Sequence, residues 1–257
     1  MRKYFSVFAL LLVIVSCSEF SLFDYLGDNI KLWKDTEIWD FAKSVSKNDF
    51  KKAEELLSRD NIDVDCREPK FGETLLTWAV LNENFEAVKF LVEHGADPNS
   101  HDTYNGESPM TAAAGFHSLE ILRYLLLHGG NPNDYVKEDE KLTYRSIETP
   151  LTKAASFNLE MTKLLVEAGA DPNFAVEPGI TPFYKAAHRF DILEYMLSNC
   201  SLDYKKTFIE TVEGDTLFVR EIVERYKDVY IEDSVRVKRI LKYLDEHFPE
   251  AKKENKN

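Results

Sequence analysis

The sequence predicts an all-α solenoid of about six helix-pair units with β-turn fingers, closed by a C-terminal helix. Three observations predict it. Three segments end alike: Gly95-Ala96-Asp97-Pro98-Asn99, Gly129-Gly130-Asn131-Pro132-Asn133 and Gly169-Ala170-Asp171-Pro172-Asn173. Each follows an apolar helical run, at 88–92, 122–126 and 162–166. Upstream of the runs a capped start recurs in Thr74-Leu75-Leu76-Thr77, Ser108-Pro109-Met110-Thr111, Thr149-Pro150-Leu151-Thr152 and Thr181-Pro182-Phe183-Tyr184, whose first residues lie 34, 41 and 32 positions apart.

The chain starts with an address. Met1-Arg2-Lys3 precedes an apolar run over 4–15, with Ser6 as its one interruption. A basic start and a short apolar stretch read as a secretory signal, too short for a spanning helix of about 20 residues. The run ends in Ile14-Val15-Ser16-Cys17. This resembles the bacterial lipobox, in which a diacylglyceryl group is attached to the Cys sulfur and cleavage leaves the Cys as the new N-terminus. The resemblance implies removal of residues 1–16, lipidation of Cys17 and a bacterial envelope location. Ser18 is not the Asp that retains such lipoproteins in the inner membrane, which points to the outer membrane, facing the periplasm. Residues 17–35 follow as anchor and N-terminal cap, since Phe20, Phe23, Tyr25 and Trp33 are unlike a flexible Gly/Ser tether.

The repeat region is expected over 36–231, with units near 36–65, 72–99, 106–133, 147–173, 179–203 and 204–231. Thr or Ser caps each helix start, and Pro is tolerated in the first turn. Gly suits a left-handed cap at the helix end, and Asp-Pro-Asn is turn chemistry. Paired small residues (Ala113-Ala114, Ala154-Ala155, Ala186-Ala187) let neighbouring helices approach closely. The chain is thereby similar to ankyrin repeats, units of about 33 residues with a β-turn finger and two antiparallel helices. Two departures stand out. The family's His in Thr-Pro-Leu-His is replaced by Thr77, Thr111, Thr152 and Tyr184, so its hydrogen-bonding role is expected to be only partly filled. The fourth and fifth units are also short between their helices. The first and sixth units are weaker matches, as terminal repeats facing water should be. In the sixth, residues 208–212 and 214–223 are read as a degenerate helix pair. Val237, Ile240, Leu241, Leu244 and Phe248 then mark a capping helix over 232–248, and 249–257 is expected to be a disordered tail.

Hydrophobic residues make up 44% and charged residues 30%, which excludes wholesale disorder. A net charge of −13 argues against nucleic-acid binding, which needs surplus Lys and Arg. No phosphate-cradling Gly-x-x-x-x-Gly-Lys, Gly-x-Ser-x-Gly or His-Glu-x-x-His occurs, so no enzyme, cofactor or metal is expected. His94 and His128 precede the C-capping Gly of different units and lack partner ligands in sequence, and His117 sits in a helix-to-helix turn. Cys66 and Cys200 fall units apart, too far for a disulfide in an open stack.

By resemblance, partners bind along the concave groove formed by first helices and finger tips. The position before the first Ala of each unit lines it: Lys43, Trp78, Ala112, Lys153 and Lys185. Lys47, His188 and Arg189 lie beside them, and Tyr104, Tyr135 and Tyr144 are placed on fingers. These residues are the candidate partner-binding set. They suggest a locally basic groove for an acidic protein surface, against the alternative of solvated positions with arbitrary sidedness. Trp78 is the sharpest candidate hot spot, against the alternative of packing on Leu81. The extra residues at 134–148 are either a functional loop or a tolerated insertion. The expected function is a monomeric, lipid-anchored interaction protein of the envelope. A periplasmic immunity protein against a toxin and a regulatory or protective partner of an envelope enzyme are the alternatives.

Overall fold

A computed structural model describes residues 29–115, 118–137, 142, 148–210, 216–227 and 233–249. A 3-10 turn, Ile30–Trp33, packs on α1 (Trp39–Ser46) and leaves the Trp33 side chain fully buried. Helix pairs then follow: α1 with α2 (Phe50–Asp60), α3 (Leu75–Leu81) with α4 (Phe85–Glu93), and α5 (Pro109–Ala113) with α6 (Leu119–Leu127). The fourth and fifth pairs are α7 (Pro150–Phe157) with α8 (Leu159–Glu167), and α9 (Pro182–Ala186) with α10 (Phe190–Asn199). First helices stack in a row (α3 on α5 on α7 on α9), and second helices do the same (α4 on α6 on α8 on α10). The lipobox, Phe20, Phe23, Tyr25, His117 and the tail beyond 249 lie outside the described residues.

The recurring residues make this geometry locally. Thr74, Ser108, Thr149 and Thr181 each accept a hydrogen bond from the backbone N–H three residues on. Thr111 and Thr152 answer as a capping box: the Ser108 N–H donates to Thr111 Oγ1 at 2.8 Å and the Thr149 N–H to Thr152 Oγ1 at 2.6 Å. The hydroxyls also donate back to the cap carbonyls, at 3.1 and 2.8 Å. In these units the Thr that stands in place of the family's His closes a capping box at the helix start. At the other end Gly95, Gly129 and Gly169 hold φ of 94°, 96° and 89°. The next N–H reaches back five residues, Ala96 to Leu91 O, Gly130 to Leu125 O and Ala170 to Leu165 O, at 2.8–3.0 Å. That is the Schellman bond, and it turns the chain into the finger. The shortness of the fourth unit is visible at Asn158, which is both the C-cap of α7 and the N-cap of α8.

An amide ladder joins unit to unit. The Asn99 Oδ1 accepts from the Asn131 N–H (2.7 Å) while its Nδ2 donates to Gly129 O (3.0 Å). Asn133 does the same to Asp171 N–H (2.7 Å) and Gly169 O (3.1 Å), and Asn173 to Asp203 N–H and Ser201 O (both 2.7 Å). Each Asn side chain therefore ties its finger to the helix end of the following unit. Inside, the alanines at 113, 114, 154, 155, 186 and 187 are all fully buried, at 0% exposure, where the helices approach.

The sixth unit departs from its expected helix pair. Phe208–Glu210 is strand β1, paired antiparallel with β2 (Thr216–Phe218) in the register Phe208 with Phe218. Among the described residues of this unit, α11 (Val219–Tyr226) is the helix that follows. The segment carries no Thr-Pro start, and Phe208-Ile209 with Thr207 favours extended backbone. Thr207 Oγ1 still reaches the Thr181 cap hydroxyl at 2.8 Å. Helix α12 (Ser234–His247) closes the stack on α10 and α11. The hairpin is the one pair of named strands among the described residues, so the architecture remains a helical solenoid.

The core forms two clusters. One runs from Trp33 to Ala170, and the other from Ala155 through Phe183 and Leu193 to Leu244. They meet on α7, whose Ala154 belongs to the first and Ala155 to the second. Cys66 and Cys200 are both free thiols, each pushed above the usual thiol range, mainly by burial. No described helix is long and apolar enough to cross a membrane.

Candidate interaction groove

The groove is floored by the first helices and bounded by the fingers. Fingers are rigid because buried carboxylates knit their turns. Asp102 accepts the N–H groups of Tyr104, Asn105 and Gly106 at 2.8–2.9 Å, which fixes the finger that carries Tyr104. Burial pushes its carboxyl above the usual range despite those bonds. In the preceding finger Glu68 does the same, accepting from Lys70, Phe71 and Glu73. The Tyr104 ring stands edge-on to Phe71 at 5.2 Å, and Tyr135 packs against Phe174 at 4.8 Å. Asp134, buried, accepts from the Ser108 hydroxyl and lies 3.2 Å from His101 Nε2. Asp134 thereby ties its own finger to Ser108 and His101 of the preceding unit.

The lysines along the floor carry partners. Lys153 is ion-paired with Glu107, and Lys185 Nζ sits 2.7 Å from Glu148 Oε1. Both glutamates immediately precede a helix cap, so each pair spans from one unit to the next. Lys43 is exposed, with its ammonium 5.7 Å from the centroid of the Trp39 ring, and Lys47 is exposed at the end of α1. Arg189 donates from Nη1 to Phe157 O at 2.8 Å, and Nη2 lies 3.4 Å from Asp191. His188 is held below the usual imidazole range by burial first, then by Arg189 and Lys185. The floor is therefore charge-compensated at Lys153 and Lys185, and its surplus of positive charge is smaller than the sequence suggests.

Trp78 does not stand in the groove. It is 5% exposed and belongs to the main core. The equivalent residue of the next unit, Ala112, is buried in the same cluster. That removes Trp78 from the candidates for an exposed hot spot. Tyr144 and Cys17 lie outside the described residues. The residue that sequence reasoning missed is Phe157, 51% exposed at the end of α7 beside Arg189. A signal for it exists, since a Phe follows the polar Ser156 at the end of the helix, where a solvated residue is expected.

Among the described residues no three His, Cys, Asp or Glu side chains converge as a metal site. Surface depressions are open, such as one of about 350 Å³ lined by Phe174, Pro178, Lys205 and Phe208. A stack of helix pairs with knitted fingers and an open, charge-compensated floor defines a class: a repeat scaffold for protein recognition.

Comparison with known proteins matches two segments of the chain to family models. The model for ankyrin repeats in three copies matches residues 41–136, and the single ankyrin-repeat model matches 148–175. Those residues are ankyrin repeats, a fold that typically serves as a non-catalytic scaffold for protein–protein interaction. Two solved structures are similar. The crystal structure of the ankyrin repeat protein EF0377 is 25% identical, with TM-score 0.59 over 80% of this chain and 97% of that one. An ankyrin repeat domain (ABAYE2397) from Acinetobacter baumannii AYE is 22% identical, with TM-score 0.62 over 81% of this chain and 97% of that one, and shows the shared fold. A search of curated proteins found no match.

Proposed function

We propose that this protein is a lipid-anchored, non-enzymatic interaction module of a bacterial envelope, holding a protein partner along its groove from the periplasmic side of the outer membrane. The observation that carries the reading is the coupling of an ankyrin stack to Ile14-Val15-Ser16-Cys17. A repeat scaffold supplies a rigid, extended surface, and a lipidated Cys17 supplies the place where it acts. Roughly a dozen residues separate Cys17 from the 3-10 turn, a span of at most about 40 Å, so the first unit would stay near the bilayer. Signal removal takes Arg2 and Lys3 and moves the net charge from −13 to −15. An acidic body near anionic headgroups favours a stack that stands off the surface and keeps its groove accessible.

Metabolic labelling with palmitate, followed by membrane fractionation, tests the anchor. Labelled chain is expected in the membrane fraction, with loss of both label and membrane association in Cys17→Ala. Wild-type chain that takes up no label, or a Cys17→Ala chain that stays labelled, would contradict it.

A further inference from the structure

We propose that the depression beside Ala175 is a socket for an aromatic side chain of a partner segment that carries an acidic residue next to that ring. This rests on the reading of the groove and its fingers as the interaction surface and says what chemistry they select.

The socket is a vacancy in a series. Two residues after Asp65, Asn99, Asn133 and Asn173 stand Arg67, His101, Tyr135 and Ala175. The first three cross to the following finger. Arg67 donates from Nη2 to Ser100 Oγ at 2.9 Å and from Nη1 to the His101 carbonyl. His101 Nε2 lies 3.2 Å from Asp134 Oδ2, and the Tyr135 ring packs on Phe174 at 4.8 Å. Each of these is a long side chain ending in a planar group. Ala175 has only a methyl group, and it lines a depression of about 350 Å³ together with Lys205, Lys206 and Phe208 of the sixth unit.

The walls suit a ring. Phe174, Phe208 and Pro178 line the depression, the two phenylalanines half-buried and the proline exposed. Aromatic walls take a further ring offset or edge-on, with a gain beyond the area covered. The spacing of the walls is fixed beforehand. Gly179 holds φ of 84°, and a Cβ there would clash with the Phe208 carbonyl oxygen, so backbone meets backbone at the side of the depression. Its volume falls within the range of about 300–1,000 Å³ typical of binding pockets.

Charge selects the neighbour of the ring. Asp171, also in the lining, serves its own turn: Oδ1 accepts the Asn173 N–H at 2.8 Å, as Asp97 Oδ1 accepts the Asn99 N–H at 2.9 Å. Lys206 lies 3.7 Å from Asp203. Lys205 is exposed and has no ion pair among the described residues. It is thus the cation of the lining without a counter-charge within ion-pair distance. An acidic residue beside the incoming ring supplies one, whereas a basic residue there would bring a like charge to Lys205.

Selection of random displayed peptides on the purified full chain tests this. The expected outcome is enrichment of Tyr, Phe or Trp within two positions of Asp or Glu. A synthetic copy of the leading peptide should lose about tenfold or more in affinity with Ala175→Tyr, which fills the socket from within as Tyr135 does one finger earlier. Lys205→Gln should cost about two- to fivefold at low salt and less at high salt. Thermal melts of each variant check folding, and Lys205→Gln, at an exposed position, keeps the test decisive if Ala175→Tyr is destabilised. Peptides without the ring–acid pair, failure to enrich any peptide, or affinity unchanged in a folded Ala175→Tyr or in Lys205→Gln would overturn the socket. A peptide insensitive to both variants but lost in Tyr104→Ala would also overturn it, while leaving groove binding itself standing.

Discussion

Asp65 stands on the first rung of a ladder that Asn99, Asn133 and Asn173 build further along. It accepts the Asp97 N–H with both carboxylate oxygens, at 3.1 and 3.2 Å, but has no amide to donate across to the next helix end. Burial, with Asp97 and Asp63 nearby, raises its pKa above the ordinary carboxylate value in spite of that bond. The sign follows: the folded state binds the proton more tightly than the unfolded one, so Asp65 contributes most below the unfolded pKa and that contribution is lost as pH rises through the folded pKa. Asp65→Asn removes this loss and supplies the missing donor. We expect it to stabilise the chain at pH 7 by about 0.5–1.5 kcal/mol, with a smaller gain below pH 4, read by urea melts at both pH values. At this scale the sequence is partly legible. The repeat position reveals the lysines at 153 and 185, but their partners Glu107 and Glu148 lie 46 and 37 residues away and the pairing needs the stack. Trp78 misleads for a related reason: whether a groove position is solvated depends on how the neighbouring units pack around it, and Trp78 is 5% exposed within the main core.

Element by element, the helix starts are the most legible feature, because the cap is local chemistry. Thr-Pro or Ser-Pro followed by Thr two positions on fixes N-cap, first turn and reciprocal hydroxyl within four residues. Thr152→Val keeps the shape but strands the buried Thr149 N–H that now donates to Thr152 Oγ1 at 2.6 Å. The expected cost is about 1–3 kcal/mol, measured by chemical denaturation, whereas an unchanged midpoint would mean the box is ornamental. The sixth unit shows the limit of the same reasoning. Residues 208–212 alternate well enough for either a helix face or a strand, and only the stack shows that the chain runs on from Thr207, bound to the Thr181 cap, into β1.

Across the whole molecule, a repeat stack is stabilised by neighbour interfaces, so it need not unfold as one. The two core clusters meeting on α7 mark where it should divide. Leu244→Ala, at a fully buried position of the second cluster, should cost about 2–5 kcal/mol there. Hydrogen exchange should then show lost protection in α10, α11 and α12 while α3–α6 keep theirs. Uniform loss would mean the stack is one cooperative unit. The function asked of this stack is to present one face. Above all, partners should meet the groove and not the convex side. The most direct measurement is photo-crosslinking in living cells from a photoreactive residue placed at Lys43 or Tyr104, from the candidate groove set, and at Leu127 or Glu86, on the second helices. A discrete crosslinked protein from the groove positions alone is the predicted result. The same product from Leu127 and Glu86, with none from Lys43 and Tyr104, would contradict the account.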